Sequence, residues 1–402
     1  MLDKKFLLNY RDLYEENMKK RCLKPDYETF ESLNSQHKKI TTQIQSLRAS
    51  QNKNTKFSEE AKKNKEELIR LTNSEKKLNL AITKWLYEQP NILLNEVPFG
   101  KDETENKVVF STEIPQKKSI PHYDLIDNLI LKEESANLSG SRFLILKKDL
   151  SNLKRALVSF LLDHNQENGY DPYDLPYIVN SEILYSTGQL PKFAEDAFQL
   201  TNEQWLISTG EIPLVNLFYN KILSEDELPK LCTTFSPCFR SEAGSASRDT
   251  KGLIRLHQFH KVELVSICKP EDAEYYHQKQ LETAKSALNK LGLPYQIVII
   301  CSGDTGFTAA KQYDIEVWLP GSNRFLEIAS CSQCGSFQAI RGNIKYKDKN
   351  GKNTHVHTLN GSCLPLERLL AAIIENFYDE KNNSIVVPDV LNKYFNKNII
   401  LL

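Results

Sequence analysis

The sequence predicts an α+β protein, an antiparallel sheet flanked by helices and preceded by an antiparallel two-helix coiled-coil arm. Three observations predict it. Residues 26–89 contain neither glycine nor proline, and their apolar residues recur at spacings of three and four. From Phe235 to Ile267, and again from Gln296 to Trp318, short β-rich runs follow one another without regular βαβ alternation. A last segment, from about Leu364 to Phe377, presents Leu366, Leu369, Leu370, Ile373 and Ile374 as one broad apolar helix face.

The arm comes first in the chain. Phe30, Leu33, His37, Ile40, Ile44 and Leu47 form one seam, and Ala61, Asn64, Leu68, Leu71, Glu75, Leu78, Ile82 and Trp85 form the other. The polar stretch Gln51–Ser58 separates them, and Ser58 ahead of two glutamates is a helix start. The hairpin is expected over about 26–89, on the order of 40 Å long at about 1.5 Å per residue. Pattern alone fits a dimerisation coiled coil as well. Charge tilts the reading, because Lys38–Lys84 holds twelve Lys/Arg against five Asp/Glu. Such an excess suits a phosphate backbone, although lysine is also common on a solvated helix face. The candidate phosphate-contacting cations are Lys38, Lys39, Arg48, Lys53, Lys62, Lys63 and Arg70.

Beyond Pro90, the polar stretch Gly100–Asn106 marks a boundary. Domains are therefore expected over 1–105 and 106–402, consistent with roughly 100–200 residues each. Arg142–Lys147 reads as a strand, and Leu150, Leu153, Leu157 and Leu161 as one face of a helix. Formal net charge is zero, so no whole-chain basic field exists and any nucleic-acid contact has to be local. The eight cysteines lack framework spacing and sit mostly in apolar runs, as reduced thiols do. No apolar stretch near Met1 suits a signal peptide and no segment approaches a membrane span, so a cytoplasmic protein without membrane contact is expected. Cys331-Ser332-Gln333-Cys334 fits half a zinc site, a redox pair or two structural thiols. No second Cys/His pair stands at suitable spacing, and structural thiols are the expectation.

Chemistry concentrates elsewhere. No Gly-rich Walker or dinucleotide loop is present, so phosphate binding follows another route. Phe239-Arg240-Ser241-Glu242, the loop Ala243–Thr250, and Arg255-Leu256-His257-Gln258-Phe259 read as strand, loop, strand. An arginine on the first strand can fork onto a phosphate, Arg248 and Lys251 add cations, and Phe259 offers a face to a purine. Taken alone, Arg-x-Glu on a strand is more often a surface ion pair, and it is the three parts in sequence that carry weight.

These residues closely resemble motif 2 of the class II aminoacyl-tRNA synthetases, in the variant of the seryl-tRNA synthetase family. The resemblance runs over essentially the whole chain. Tyr185–Phe193 is similar to the family's segment after motif 1, Thr358-Leu359-Asn360-Gly361-Ser362 with Arg368 to motif 3, and Ser384–Pro388 to its C-terminal ending. A basic N-terminal hairpin is also a family hallmark. The resemblance implies activation of L-serine with ATP and Mg²⁺, then transfer to the 3′ end of tRNA(Ser), and of tRNA(Sec) where one exists. It implies a homodimer, with the helix from about Leu150 to Asp163 as the contact.

Site roles follow from the same resemblance. Arg240 would hold the α-phosphate and Arg368 the γ-phosphate, fixed cations where negative charge develops. Phe259 would stack on adenine, with Ser241 and Glu242 beside the nucleotide. Glu327, Ile328, Ala329 and Ser330 would line the nucleotide, Glu327 and Ser330 giving oxygen ligands to Mg²⁺. Taken without the family, Glu327 reads as an exposed strand carboxylate. Serine would fall to Thr209, Gly210, Glu211, Glu263, Asn360 and Ser362. A pocket that hydrogen-bonds a hydroxyl rejects an analogue lacking one. Glu263, between Val262 and Leu264, also fits a strand residue facing solvent.

Several positions depart from the family pattern. Gly210 stands where alanine is usual, Ser247 replaces a loop glycine, His260 an aspartate, and Ile340 an arginine. Motif 1 is altered around Pro172. Cys363 and Pro365 stand where glycine and alanine are expected, and Glu367 directly precedes Arg368. Pro365 suits a first helical turn. Cys363 is expected to narrow the room beside the substrate, and Glu367 to add negative charge near a phosphate-binding arginine. Two rivals stay open: a ligase that forms an adenylate but loads another acceptor, and a catalytically weak paralogue that binds RNA. The basic hairpin counts against the first.

Overall fold

The structure, a computed structural model, describes residues 1–51, 59–116, 119–243 and 251–402. Lys53, Ser247, Arg248 and the side chain of Ala61 lie outside the described residues. The chain divides into two compact units, Met1–Pro90 and Asn91–Leu402. The division falls ahead of the polar stretch that the sequence marks as a boundary. Residues 91–106 are tied into the second unit by their own polar groups. The Asn91 amide donates to the carbonyls of Thr308 (2.9 Å) and Cys334 (2.8 Å). Ser302 N–H donates to Pro98 O (2.8 Å) and Gly303 N–H to Gly100 O (2.9 Å). Composition alone does not separate a free linker from a polar segment whose hydrogen bonds are all internal.

The first unit holds α1 (Lys4–Asn9), α2 (Arg11–Lys20), α3 (Tyr27–Gln51) and α4 (Glu59–Glu88). The two long helices pair antiparallel. Phe30 stacks on Trp85 with ring centroids 5.1 Å apart, and further along Thr41 Oγ1 donates to Glu75 Oε1 at 3.0 Å. Seam residues Phe30, Ile44, Leu71, Ile82 and Trp85 are buried. Lys38, Lys39, Arg48, Lys62, Lys63 and Arg70 are all exposed. Tyr14, Tyr27, Phe30 and Trp85 form an aromatic base that fixes the hairpin where the helices meet the chain. Trp85 Nε1–H reaches Asp26 Oδ2 at 3.1 Å, so the buried indole keeps a partner.

The second unit is built on one eight-stranded sheet. Its strands are β1 (Lys107–Ser111), β2 (Asp171–Pro172), β3 (Lys230–Phe239), β4 (Gln258–Cys268), β5 (Tyr295–Ile299), β6 (Lys311–Leu319), β7 (Arg324–Gly335) and β8 (His357–Pro365). Their order is β1-β5-β6-β7-β8-β4-β3-β2. Every pairing is antiparallel except β2 with β3. Helices α5 (Lys148–Glu167), α7 (Ala273–Leu291) and α9 (Leu366–Asn376) share one apolar core with one face of this sheet. Between them in sequence lie α6 (Glu211–Asn216) and α8 (Phe337–Arg341).

Strand alternation decides what the other face carries. In β4, Val262 and Leu264 join the core, so Phe259, Lys261 and Glu263 point the opposite way. In β8, Cys363 joins the core, and Asn360 and Ser362 share the opposite face. The same core takes up the α5 stripe Leu150, Leu153, Leu157 and Leu161, leaving Asn152, Arg155 and Ser159 exposed on that helix. Each leucine so buried contributes about 1.5–3 kcal/mol relative to an exposed one.

Two local expectations change. Over Arg142–Lys147 only Ile145–Leu146 pairs, with Ile130–Leu131, because Arg142 has a φ of 61° and cannot extend a strand. The last helix begins at Leu366, since Leu364 has a φ of 73° and Pro365 is the residue that caps the helix rather than its first turn. Among the described residues, no helix is long and apolar enough to cross a membrane.

Candidate active site

The polar face of the sheet centre carries two adjoining cavities. The first is lined by Arg240, Glu242, Arg255, Phe259, Lys261, Glu327, Ile328, Ser362, Glu367 and Arg368, with Leu253–Leu256 and Pro365 at its edge. The second shares Arg240, Glu242, Arg255, Lys261, Glu327, Ser362 and Arg368, and adds Ser208, Thr209, Glu211, Ser330 and Asn360. Arg240 and Arg368, far apart in the chain, therefore face the same space. The expected guanidinium pair is brought together.

Each cation is held by backbone. Arg240 follows β3, its Nε donates to Ser208 O at 3.3 Å, and its Cζ stands 5.1 Å from the centre of the Phe259 ring. That is cation–π distance. Arg368 lies in the first turn of α9. Its Nε donates to Ile254 O at 3.3 Å, and its Nη1 to Glu327 O at 2.7 Å. Glu242 has a φ of 51°, the left-handed region. This turn sets its carboxylate against Arg255 Nη1 at 2.5 Å.

At the other end, buried polar groups converge. Thr209 Oγ1 donates to Glu263 Oε2 at 2.5 Å, and Lys261 Nζ lies 2.5 Å from the same carboxylate and 3.0 Å from Thr209 Oγ1. Ser362 stands opposite Glu263 in the β8–β4 register. Gln338 Nε2 donates to Glu211 Oε1 at 2.6 Å, and Thr358 Oγ1 donates to Gln338 Oε1 at 2.6 Å. Burial pushes the Glu211 carboxyl up, as does the Glu263 charge, to about 7, while Gln338, Lys261 and Arg240 pull it back. Among the described residues, Glu263 Oε1 is buried without a hydrogen-bond partner. An orphaned carboxylate oxygen at such a site calls for a donor from outside the protein.

The expected residues divide. Arg240, Glu242, Thr209, Glu211, Asn360, Ser362, Glu327, Ser330 and Arg368 line the second cavity; Phe259 and Ile328 line the first. Glu263 is not a solvent-facing strand residue; it is fully buried beneath Thr209 and Lys261. Ser241 turns its hydroxyl to Glu195 O at 2.5 Å. Ala329 packs in the core, a consequence of the β-bulge that shifts register beside Glu327. Gly210 caps α6 with its backbone; a Cβ there would meet Thr234 Cγ2 at 2.7 Å. Cys363 does not narrow the site, because it alternates with Ser362 and points into the core. Burial pushes its thiol up to about 12.

Among the lining residues to which the sequence reading gave no role in the site are Lys261 and Arg255, and Glu367 was read there only as an added negative charge. Lys261 was visible by period two, standing between Phe259 and Glu263 on one face of β4. Cys331 and Cys334 are both buried, which raises both thiols; Cys334 Sγ lies 3.7 Å from Asn360 Oδ1.

Comparison with known proteins fits this geometry. Residues 1–92 match the model of the seryl-tRNA synthetase N-terminal domain, and residues 195–377 that of the class II tRNA synthetase core domain (G, H, P, S and T). The chain is 41% identical to the serine–tRNA ligase of Rickettsia akari, covering 98% of this chain and 97% of that one. It is 41% identical to that of Caldicellulosiruptor saccharolyticus over 100% of both. The solved seryl-tRNA synthetase of Pyrococcus horikoshii, complexed with ATP, superposes with a TM-score of 0.91 at 32% identity, covering 100% of this chain and 99% of that one. A cytoplasmic serine–tRNA ligase of Naegleria fowleri, in complex with AMP, gives 0.84 at 26%, covering 98% and 96%. With a paired basic hairpin, an antiparallel catalytic sheet and near-complete coverage of such relatives, the chain belongs to the seryl-tRNA synthetase family.

Proposed function

We propose that the chain activates L-serine with ATP and transfers the seryl group to the 3′ end of tRNA(Ser). One observation carries the reading: Arg240 and Arg368 face a single space that continues into the buried polar pocket of Thr209 and Glu211. A serine carboxylate oxygen attacks the α-phosphorus, the α–β bridging bond breaks, and pyrophosphate leaves with its charge. Arg240 meets the charge building on the α-phosphate and Arg368 grips the far end of the triphosphate, both fixed in advance by backbone carbonyls. Phe259 offers its ring face to adenine. The terminal adenosine hydroxyl of the RNA then attacks the acyl carbon, and AMP leaves.

Serine sits among Thr209, Glu211, Asn360 and Ser362, its ammonium against a carboxylate and its hydroxyl on the buried polar groups. Glu263 holds Thr209 and Lys261 in place from beneath. Threonine is excluded for want of space for its methyl.

Mg²⁺ fits the oxygen-rich end of the site. Nearby, burial and then the Glu327 charge push the Asp314 carboxyl well above its ordinary range. Glu327 and Ser330 are the residues that would hold the ion, which keeps several waters and binds phosphates as well. When bound, it neutralises charge on the triphosphate.

The hairpin meets the RNA through Lys38, Lys39, Lys62, Lys63, Arg48 and Arg70, and tRNA(Sec) is served by the same arm where it exists. The enzyme works as a homodimer through the outer side of α5. Seven of the eight cysteines are buried, which fits reduced thiols in a cytoplasmic setting. Serine-dependent ATP–pyrophosphate exchange, followed by charging of total tRNA with labelled serine against threonine and alanine, tests the reading. Exchange without charging would point to another acceptor, and neither activity would point to a binding protein.

A further inference from the structure

We propose that Lys154, His260 and Glu367 form a positioning triad that sets Arg368 over the nucleotide cavity in register with Phe259. The inference rests on the reading of Arg368 and Phe259 as nucleotide contacts.

Three separate elements meet at one carboxylate. Glu367 opens α9 next to Arg368 and is almost fully buried. Its Oε1 accepts from Lys154 Nζ on α5 at 2.7 Å and lies 2.9 Å from His260 Nδ1 on β4. Its Oε2 accepts from the His260 backbone N–H at 2.8 Å. Lys154 Nζ also lies 2.7 Å from His260 Nδ1, so the cluster is closed on three sides. Phe235 stacks on the His260 ring at 5.7 Å and 13°, which fixes the imidazole plane.

The backbone contact explains why the carboxylate is there. The β8–β4 ladder is in register to Ser362↔Glu263 and then slips, resuming at Pro365↔Lys261. The slip lies at Leu364, whose φ is 73°. Beyond the slip the Glu367 side chain accepts from the His260 N–H. A side chain of α9 thereby closes the sheet ladder. His260 stands between Phe259 and Lys261, both of which line the cavity. Holding His260 to Glu367 consequently fixes Phe259 relative to Arg368, one residue further on. His260 and Glu367, two of the positions that depart from the family pattern, are direct partners, and Glu367 is paired with Lys154 rather than left to repel the triphosphate.

The test is steady-state ATP–pyrophosphate exchange by the full-length chain, with KM and kcat separated for ATP and for serine and the Tm recorded. Glu367→Gln keeps shape but removes the charge and one acceptor. It is expected to raise the KM for ATP about 10- to 100-fold, as misplacement of a clamp does, with the KM for serine changed less than about twofold. Lys154→Met, at the more accessible corner, is expected to do the same and carries the test if Glu367→Gln does not fold. The double variant is expected to fall short of the product of the two single effects, because it leaves no buried unpaired charge. A lowered Tm with unchanged KM for ATP in both single variants would reduce the triad to a structural strut and overturn the proposal. Arg368→Ala runs in parallel. If it too leaves the KM for ATP unchanged, the nucleotide reading itself fails, which separates the two outcomes.

Discussion

Arg368 holds Glu327 twice, with its Nη1 2.7 Å from the Glu327 carbonyl oxygen and 3.4 Å from the carboxylate. The arginine expected on the γ-phosphate and the carboxylate expected on Mg²⁺ are thus paired with each other. The carboxylate is about half exposed, and such an ion pair contributes about 0–1 kcal/mol. A pair that weak is no obstacle to a phosphate group at Arg368. Arg368→Lys keeps the charge but loses the fork that reaches two backbone carbonyls at once. Exchange activity is expected to drop about 100-fold or more, while Tm moves by a few degrees at most. Activity within tenfold of the parent would remove Arg368 from the clamp.

Gly210 and Thr234 constrain each other. A Cβ on residue 210 would stand 2.7 Å from Thr234 Cγ2 and 3.3 Å from Glu263 Cβ. Gly210→Ala is expected to cost about 1–3 kcal/mol, the range for overpacking a filled site, and to raise the serine KM by displacing Glu263. Thr234→Ser removes the obstructing methyl and is expected to restore most of the loss in the double variant. Thermal unfolding and serine KM on all three variants check this; additive losses would mean the two side chains do not meet.

What the sequence made legible is local and periodic. The hairpin seams, the final helix and the alternation that sends Phe259 and Glu263 to one face all follow from spacing. Glu263 shows the limit: alternation gives its face, but whether that face meets water depends on Thr209 and Lys261 covering it, which is tertiary. Cys363 shows the converse. Its neighbour Ser362 lines the site, and reading the two as adjacent in space ignored the pleat. The role of Glu367 was illegible because its partners come from α5 and β4, more than a hundred residues away in chain order. The family resemblance identified the cations; only geometry shows what holds them.

The hairpin carries its own prediction. Cutting inside residues 34–81 and joining the stubs by a short turn keeps the Phe30–Trp85 stack and the aromatic base. Charging is expected to fall to background, and pyrophosphate exchange to stay within about twofold. Reversing Lys38, Lys39, Lys62 and Lys63 to glutamate is expected to weaken tRNA binding and to flatten its dependence on salt by about 0.7–0.9 in log–log slope for each phosphate no longer neutralised. Charging that survives the trimming would end the RNA role of the arm.

Glu211 makes serine use depend on pH in a stated direction. Its carboxyl ordinarily titrates near 4.5, and burial followed by the Glu263 charge raises it to about 7 in the folded chain. A raised carboxyl favours the folded state below its unfolded value, and that contribution is lost as pH rises through about 7. The ammonium of serine needs the opposite form, the carboxylate. The KM for serine is therefore expected to fall as pH climbs through about 7, while Glu211's own share of stability declines. Glu211→Gln has no proton to lose, so its serine KM is expected to be high and flat with pH, and its Tm to gain on the parent between pH 5 and 8. Serine KM and Tm measured together across that range check both halves. A parent KM that ignores pH would show that Glu211 does not carry the charge that binds the ammonium.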